Sequence, residues 1–157
     1  MEKSDQLIPI LMADDDAEDR MLLEEAWEEN RIANPLRFVE DGEQLMDYLH
    51  HRGNFSDQRK YPVPGLILLD LNMPRKDGRE ALAEIKEDPV LKKIPVVVLT
   101  TSKAEEDILR TYHLGVNSYI TKPVTFDALV DLVRTLTEYW FGIVSLSTQT
   151  MSDRWPT

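Results

Sequence analysis

The stretch Gly65-Leu66-Ile67-Leu68-Leu69-Asp70-Leu71-Asn72-Met73-Pro74 constrains this chain most. Its apolar run 66–69 shows no polar alternation and has the length of a strand buried on both faces, as in a parallel sheet. The run ends abruptly in Asp70, where such a strand emerges at its carboxyl edge, and Pro74 keeps the strand from continuing. A carboxylate beside a buried strand is costly without partners. In open α/β sheets that edge is where ligands and chemistry collect. The other strand ends therefore decide what surrounds Asp70.

Apolar runs of the same kind recur along the chain. Residues 7–13 read as a first buried strand with Pro9 near its start, and it ends in Asp14-Asp15-Asp16. A helix follows, with Leu22, Leu23, Ala26 and Trp27 at helical spacing on one face. Residues 36–39 form a short strand, and Leu45, Met46 and Leu49 mark a second helix. Residues 51–64 read as a polar loop. After the central strand, Ala81, Leu82 and Ile85 mark a third helix, closed at Asp88-Pro89. Residues 94–99 are a fourth buried strand ending in Thr100-Thr101-Ser102. A fourth helix over 103–113 carries Ile108, Leu109 and Tyr112, with Gly115 at its C-terminus. Residues 118–121 are a fifth strand ending in Lys122-Pro123. A fifth helix begins near Thr125, with Phe126, Leu129, Val130, Val133, Leu136 and Trp140 on one stripe.

Strands alternating with helices imply a parallel sheet with right-handed crossovers and helices on both faces. Five such units predict a flavodoxin-like (βα)5 doubly wound α/β sheet of strand order 2-1-3-4-5. A length of 157 residues fits one domain, with a core over about 7–140 and an extension over 141–157.

Composition removes several function classes. A net charge of −11 argues against a nucleic-acid surface and against anionic membranes. The chain has no Cys, which excludes disulfides, thiol catalysis and thiolate metal sites. The polar opening Met1-Glu2-Lys3-Ser4-Asp5-Gln6 does not read as a signal peptide, so a cytoplasmic location is expected.

In a parallel sheet of that order the strand ends share one edge, and strands one and three are neighbours. Carboxylates of Asp14 or Asp15 should meet Asp70 there, with Thr100 and Lys122 alongside. Carboxylates held together resist joint ionisation, and a hard divalent cation relieves this. Mg²⁺ suits one or two carboxylates while keeping sites for water or phosphate oxygens. The Lys122 ammonium and the Thr100 hydroxyl suit an anion, for which phosphoryl is the obvious candidate. Asp70 is then a candidate nucleophile.

Four separated segments carry a family resemblance: Ala-Asp-Asp-Asp at 13–16, Leu-Leu-Asp-Leu-Asn-Met-Pro at 68–74, Leu-Thr-Thr-Ser at 99–102, and Tyr-Ile-Thr-Lys-Pro at 119–123. Together they resemble the receiver domain of two-component response regulators over about residues 7–140. The resemblance implies Asp70 as the phosphoacceptor, receiving its phosphoryl from a sensor histidine kinase, and a signalling protein rather than an enzyme. It implies Mg²⁺, or Mn²⁺ or another divalent cation in its place, held by Asp15, Asp70 and the Asn72 backbone carbonyl, with Asp14 binding through water. Thr100 and Lys122 would bind the phosphoryl group, and Thr100 with Tyr119 would form the switch. The loop at 52–64, the segment Asn-Met-Pro-Arg-Lys-Asp-Gly and the ending Tyr139-Trp140-Phe141 are similar to single-domain regulators paired with cyanobacterial phytochromes. That likeness implies no output domain and a homodimer through the face of the fourth helix, fifth strand and fifth helix. Leu109, Leu132 and Phe141 are candidates for that face; ordinary surface apolars are the alternative. Two positions depart from the family's usual pattern. Ala13 stands where a larger β-branched residue is usual. Thr101 stands where a small residue is common, and is expected to restrict water and slow loss of the phosphoryl group.

Each feature has a plainer reading alone. Asp14–Asp16 resemble a helix cap with first-turn acids. Tyr119 resembles a core aromatic. His50, His51 and His113 sit where a cation suits a helix end. A rival function is a haloacid dehalogenase-like phosphatase, for which Asp14-x-Asp16 superficially fits. It needs an acidic pair beyond the lysine, where only the separated Asp127 and Asp131 stand. A second rival is a pseudo-receiver that binds partners without accepting phosphoryl.

Overall fold

Prolines set where the strands begin. In the computed structural model, which describes residues 7–143 and side chains through Trp140, β1 is Ile10–Ala13, starting just after Pro9. That is later than the expected 7–13, because Pro9 has no N–H for the ladder. Likewise β4 is Val96–Thr100, starting after Pro95. β2 (Leu36–Val39), β3 (Leu66–Leu69) and β5 (Ser118–Thr121) have the expected bounds. All pairs are parallel, in the order β2-β1-β3-β4-β5. This is the flavodoxin-like topology the alternation predicts.

The crossover helices are α1 (Ala17–Glu29), α2 (Gly42–His50), α3 (Gly78–Glu87), α4 (Glu105–His113) and α5 (Phe126–Thr137), the last running into a π-helical turn over Glu138–Ile143. Their starts are written in side chains. Asp16, Asp41, Asp77 and Thr125 each accept first-turn amides, and Asp77 forms a capping box with Glu80. None of these helices is long and apolar enough to cross a membrane.

Strand alternation splits the apolar interior into two cores, one on each sheet face. Leu11, Ile67, Leu69 and Val98 face α2 and α3. Ile10, Met12, Leu68, Val97 and Leu99 face α1 and α5, where Trp27, Val133 and Trp140 pack. The segment 51–64 is less polar in space than in sequence. Phe55 and Tyr61 pack against Tyr48 of α2, with ring centroids 5.0–5.7 Å apart, and the Tyr48 hydroxyl donates to the Pro62 carbonyl at 2.9 Å. His51 takes a left-handed turn closing α2, and its Nε2 lies 2.9 Å from the Tyr61 carbonyl, a structural role.

Helix α4 departs from expectation. Of its three expected apolar positions Ile108 is half-buried, while Leu109 is 65 % exposed and Tyr112 48 %. The side chains it buries are Asp107 and Thr111.

Candidate phosphoryl-transfer site

Parallel pairing brings the strand ends to one edge. Ala13 is in register with Leu69, and the Asp70 amide donates to the Ala13 carbonyl at 3.0 Å. The residues that follow, Asp14 and Asp70, are therefore neighbours, and both are buried, at 1 % and 5 % exposure. On the other side the Lys122 amide donates to the Thr100 carbonyl at 2.8 Å.

The Lys122 ammonium fills the centre. It donates to Asp14 Oδ2 at 2.7 Å, Asp70 Oδ2 at 2.9 Å and Asp19 Oδ2 at 2.7 Å. Burial alone would lower its pKa, but the hydrogen bonds to Asp14, Asp19 and Asp70 outweigh burial and hold it above the usual lysine range. Asp70 Oδ1 accepts from the Thr100 hydroxyl at 2.7 Å and from the Asn72 amide at 3.1 Å. Burial pushes the Asp14 carboxyl up to about 6, against the opposing hydrogen bonds from Lys122 and the Asp16 amide. Asp15 is solvent-exposed. Oxygens of Asp14, Asp15 and Asp70 all lie within 4.8 Å of one another, so the three carboxylates form a group able to hold a cation.

The loop between β3 and α3 is clamped from several sides. Gly78 donates to the Leu71 carbonyl at 2.9 Å, and a Cβ there would stand 2.3 Å from the Asp70 carbonyl oxygen. The Gly42 amide donates to the Lys76 carbonyl at 2.8 Å. Arg75, with φ of 64°, pairs with the buried Asp41 at 2.8 Å. Arg75 thus holds a left-handed backbone with an ion pair from the neighbouring helix start.

Tyr119 is half-buried and tied at both ends. Its hydroxyl donates to the Ser102 carbonyl at 3.0 Å, and its amide donates to the Tyr112 hydroxyl at 3.0 Å. Beside Lys122 a cleft of about 270 Å³ opens between α1 and the start of α5, and Thr101 lies on its wall.

The fold thus brings Asp14, Asp15, Asp70, Thr100 and Lys122 together, with Asn72 adjacent. Asp16 is spatially apart in role: it caps α1. Of the candidate dimer face, Leu109 is exposed, Leu132 packs partly against the α1/α5-side core, and Phe141 lies outside the residues whose side chains are described. Sequence reasoning missed Asp19, whose only signal was its place in the first turn of α1. It also missed the cluster Arg79, Asp107 and Ser102. Arg79 Nε and Nη2 reach the two Asp107 oxygens at 2.7 Å each, and the Ser102 hydroxyl adds a third bond at 2.7 Å. Hydrogen bonds from Arg79 lead the causes that hold Asp107 down at about 2.

The chain is similar to known proteins over most of its length. The family described as "Response regulator receiver domain" matches residues 10–134. Response regulator Rcp1 of Synechocystis sp. is 43% identical over 137 residues, covering 87% of this chain and 91% of that protein. The crystal structure of the phosphorylated cyanobacterial phytochrome response regulator RcpA has a TM-score of 0.83 at 42% identity, covering 90% of this chain and 99% of that one. The Mn²⁺-bound form of Rcp1 has a TM-score of 0.81 at 42% identity, with the same coverage. The parallel sheet, the acidic edge and these matches agree, and the chain belongs to the response regulator receiver domain family.

Proposed function

We propose that this protein is a phosphorylation-operated regulator that accepts a phosphoryl group on Asp70 from a sensor histidine kinase. The observation that carries this reading is the division of labour around Asp70. Lys122 and Thr100 each hold one of its oxygens, and Asp14 and Asp15 stand within cation-sharing distance. In the transfer, an Asp70 oxygen bonds to phosphorus as the phosphorus–nitrogen bond to the kinase histidine breaks, and the imidazole leaves. The Lys122 ammonium and the Thr100 hydroxyl are placed to donate to the phosphoryl oxygens.

The carboxylate group fits a hard divalent cation, and Mg²⁺ is the ion we assign. Asp15, Asp70 and the Asn72 carbonyl would hold it, with Asp14 acting through water. The exposure of Asp15 and the occupation of both Asp14 oxygens by protein donors support that split. The ion would supply charge neutralisation for the transferring group.

The likeness to RcpA and Rcp1 supports a phytochrome-type kinase as partner. The exposed Leu109 and Tyr112 support a homodimer through the α4–β5–α5 face, with Thr100 and Tyr119 switching it. A cytoplasmic location follows from that partnership. The phosphatase alternative loses its Asp14-x-Asp16 pair, because Asp16 Oδ1 accepts the Glu18 and Asp19 amides at 2.9 and 3.1 Å.

Intact-mass measurement after incubation with Mg²⁺ and acetyl phosphate tests the reading. A single acid-labile phosphoryl adduct is expected, lost in Asp70→Asn. Multiple-turnover hydrolysis of a phosphomonoester would replace it with the phosphatase, and no adduct at all with the pseudo-receiver.

A further inference from the structure

Helix α4 is fastened by polar contacts. None of its residues belongs to either apolar core. The Thr111 hydroxyl donates to the Asp107 carbonyl of its own helix at 2.8 Å, so it ties α4 to nothing else. Two side chains therefore fasten it: the Tyr112 hydroxyl, which accepts from the Tyr119 amide of β5 at 3.0 Å, and the Asp107 carboxylate, 8 % exposed, held by the two-pronged Arg79 fork from α3 and by the Ser102 hydroxyl.

The same two partners reach back to the phosphoryl site. Arg79 Nη1 donates to the Leu71 carbonyl at 3.4 Å and to Asn72 Oδ1 at 3.5 Å, in the loop that follows Asp70. The Ser102 amide donates to Thr100 Oγ1 at 3.4 Å, and that hydroxyl is bound to Asp70. The Arg79 connection does not pass through Tyr119. The two partners that bind Asp107 also cover it, so losing one weakens the hold of the other, and the cluster favours two states, closed or open, over a graded one.

We propose that Arg79, Asp107 and Ser102 form a latch that holds α4 against the fold, and that phosphoryl transfer to Asp70 opens it. Drawing the Thr100 hydroxyl and the Asp70 loop toward the new group pulls on both partners of Asp107 at once. Released α4 then presents Leu109 and Tyr112 on a helix free to adjust to a partner. The proposal rests on Asp70 being the phosphoacceptor, and its test separates the two ideas.

Amide hydrogen exchange of the full chain, read on α4 peptides with and without Mg²⁺ and acetyl phosphate, is the experiment. Wild-type α4 should exchange about tenfold faster once phosphorylated, as expected for losing one charge-assisted anchor. Unphosphorylated Asp107→Asn should already show about that increase, change little on phosphorylation, and form the adduct to the wild-type extent. In α4 exchange, adding Arg79→Gln to Asp107→Asn should change nothing further, because the Arg79 fork reaches α4 through Asp107. Ser102→Ala, a milder change, should give an intermediate rate and serves if Asp107→Asn does not fold. Wild-type α4 exchange in unphosphorylated Asp107→Asn, or additive effects in the double variant, would overturn the latch itself. An adduct on wild type with no change in α4 exchange would overturn its coupling to Asp70. Failure of wild type to form an adduct would instead overturn the phosphoacceptor reading and the trigger with it, while the unphosphorylated variants still decide the latch.

Discussion

Asp14 is a residue whose charge works against the fold that holds it. Its carboxyl sits at about 6 because it is buried, whereas 3.8 is its ordinary value. Above pH 6 it is ionised in both folded and unfolded chains, and the burial cost is fully felt. Between pH 6 and pH 4 the folded chain takes up the proton first, so the Asp14 contribution to stability rises as pH falls through that window. Asp14→Asn should therefore stabilise the protein near neutral pH by roughly 1–2 kcal/mol, a few degrees in Tm. The gain should vanish near pH 4, and divalent-cation affinity at pH 7.5 should drop. Thermal melts across pH, paired with cation titrations, check both. At Thr101, on the cleft wall beside Lys122, Thr101→Ala should shorten the lifetime of the phosphoryl adduct. An unchanged lifetime by intact mass would sink that idea.

Among the elements, the loop between β3 and α3 tolerates least. Gly78→Ala drives a methyl against the Asp70 carbonyl oxygen and the Leu71 Cα, both backbone atoms. It should cost roughly 2–4 kcal/mol in urea denaturation and slow adduct formation at Asp70 by shifting the Asn72 amide. Local patterning revealed the elements that bury apolar surface: the unbroken run at 66–69 is β3, and Leu45, Met46 and Leu49 do line α2. It also placed Asp70, Thr100 and Lys122, because each directly ends a strand. Helix α4 was legible in extent but not in orientation. Asp107 can be buried only because Arg79 faces it from 28 positions away, and no window along the chain contains that pairing. Asp19 escaped for the same reason, since Lys122 lies 103 residues on. Phe55 and Tyr61 were hidden by the polar residues around them, and only Tyr48 on the neighbouring helix makes them a cluster.

For the whole molecule, an excess of negative charge converges on one edge of the sheet. Asp14, Asp15, Asp19 and Asp70 set four carboxylates against the single Lys122 ammonium, in a chain of net charge −11. Mg²⁺ at about a hundred times its dissociation constant should then raise global stability by about 2.7 kcal/mol, or roughly 5–10 °C in Tm. NaCl at matched ionic strength should not, and Asp15→Asn should abolish the effect in differential scanning calorimetry. The hydrogen bond from the Tyr119 amide to the Tyr112 hydroxyl matters at this scale too. Among the described residues β5 ends the sheet, and an unsatisfied strand border is a template on which another chain can be laid. Tyr112 stoppers that border with a side chain rather than with a strand. On the proposed release of α4 the stopper would leave with it, and one hydroxyl would then both guard the strand border at rest and bare it on activation.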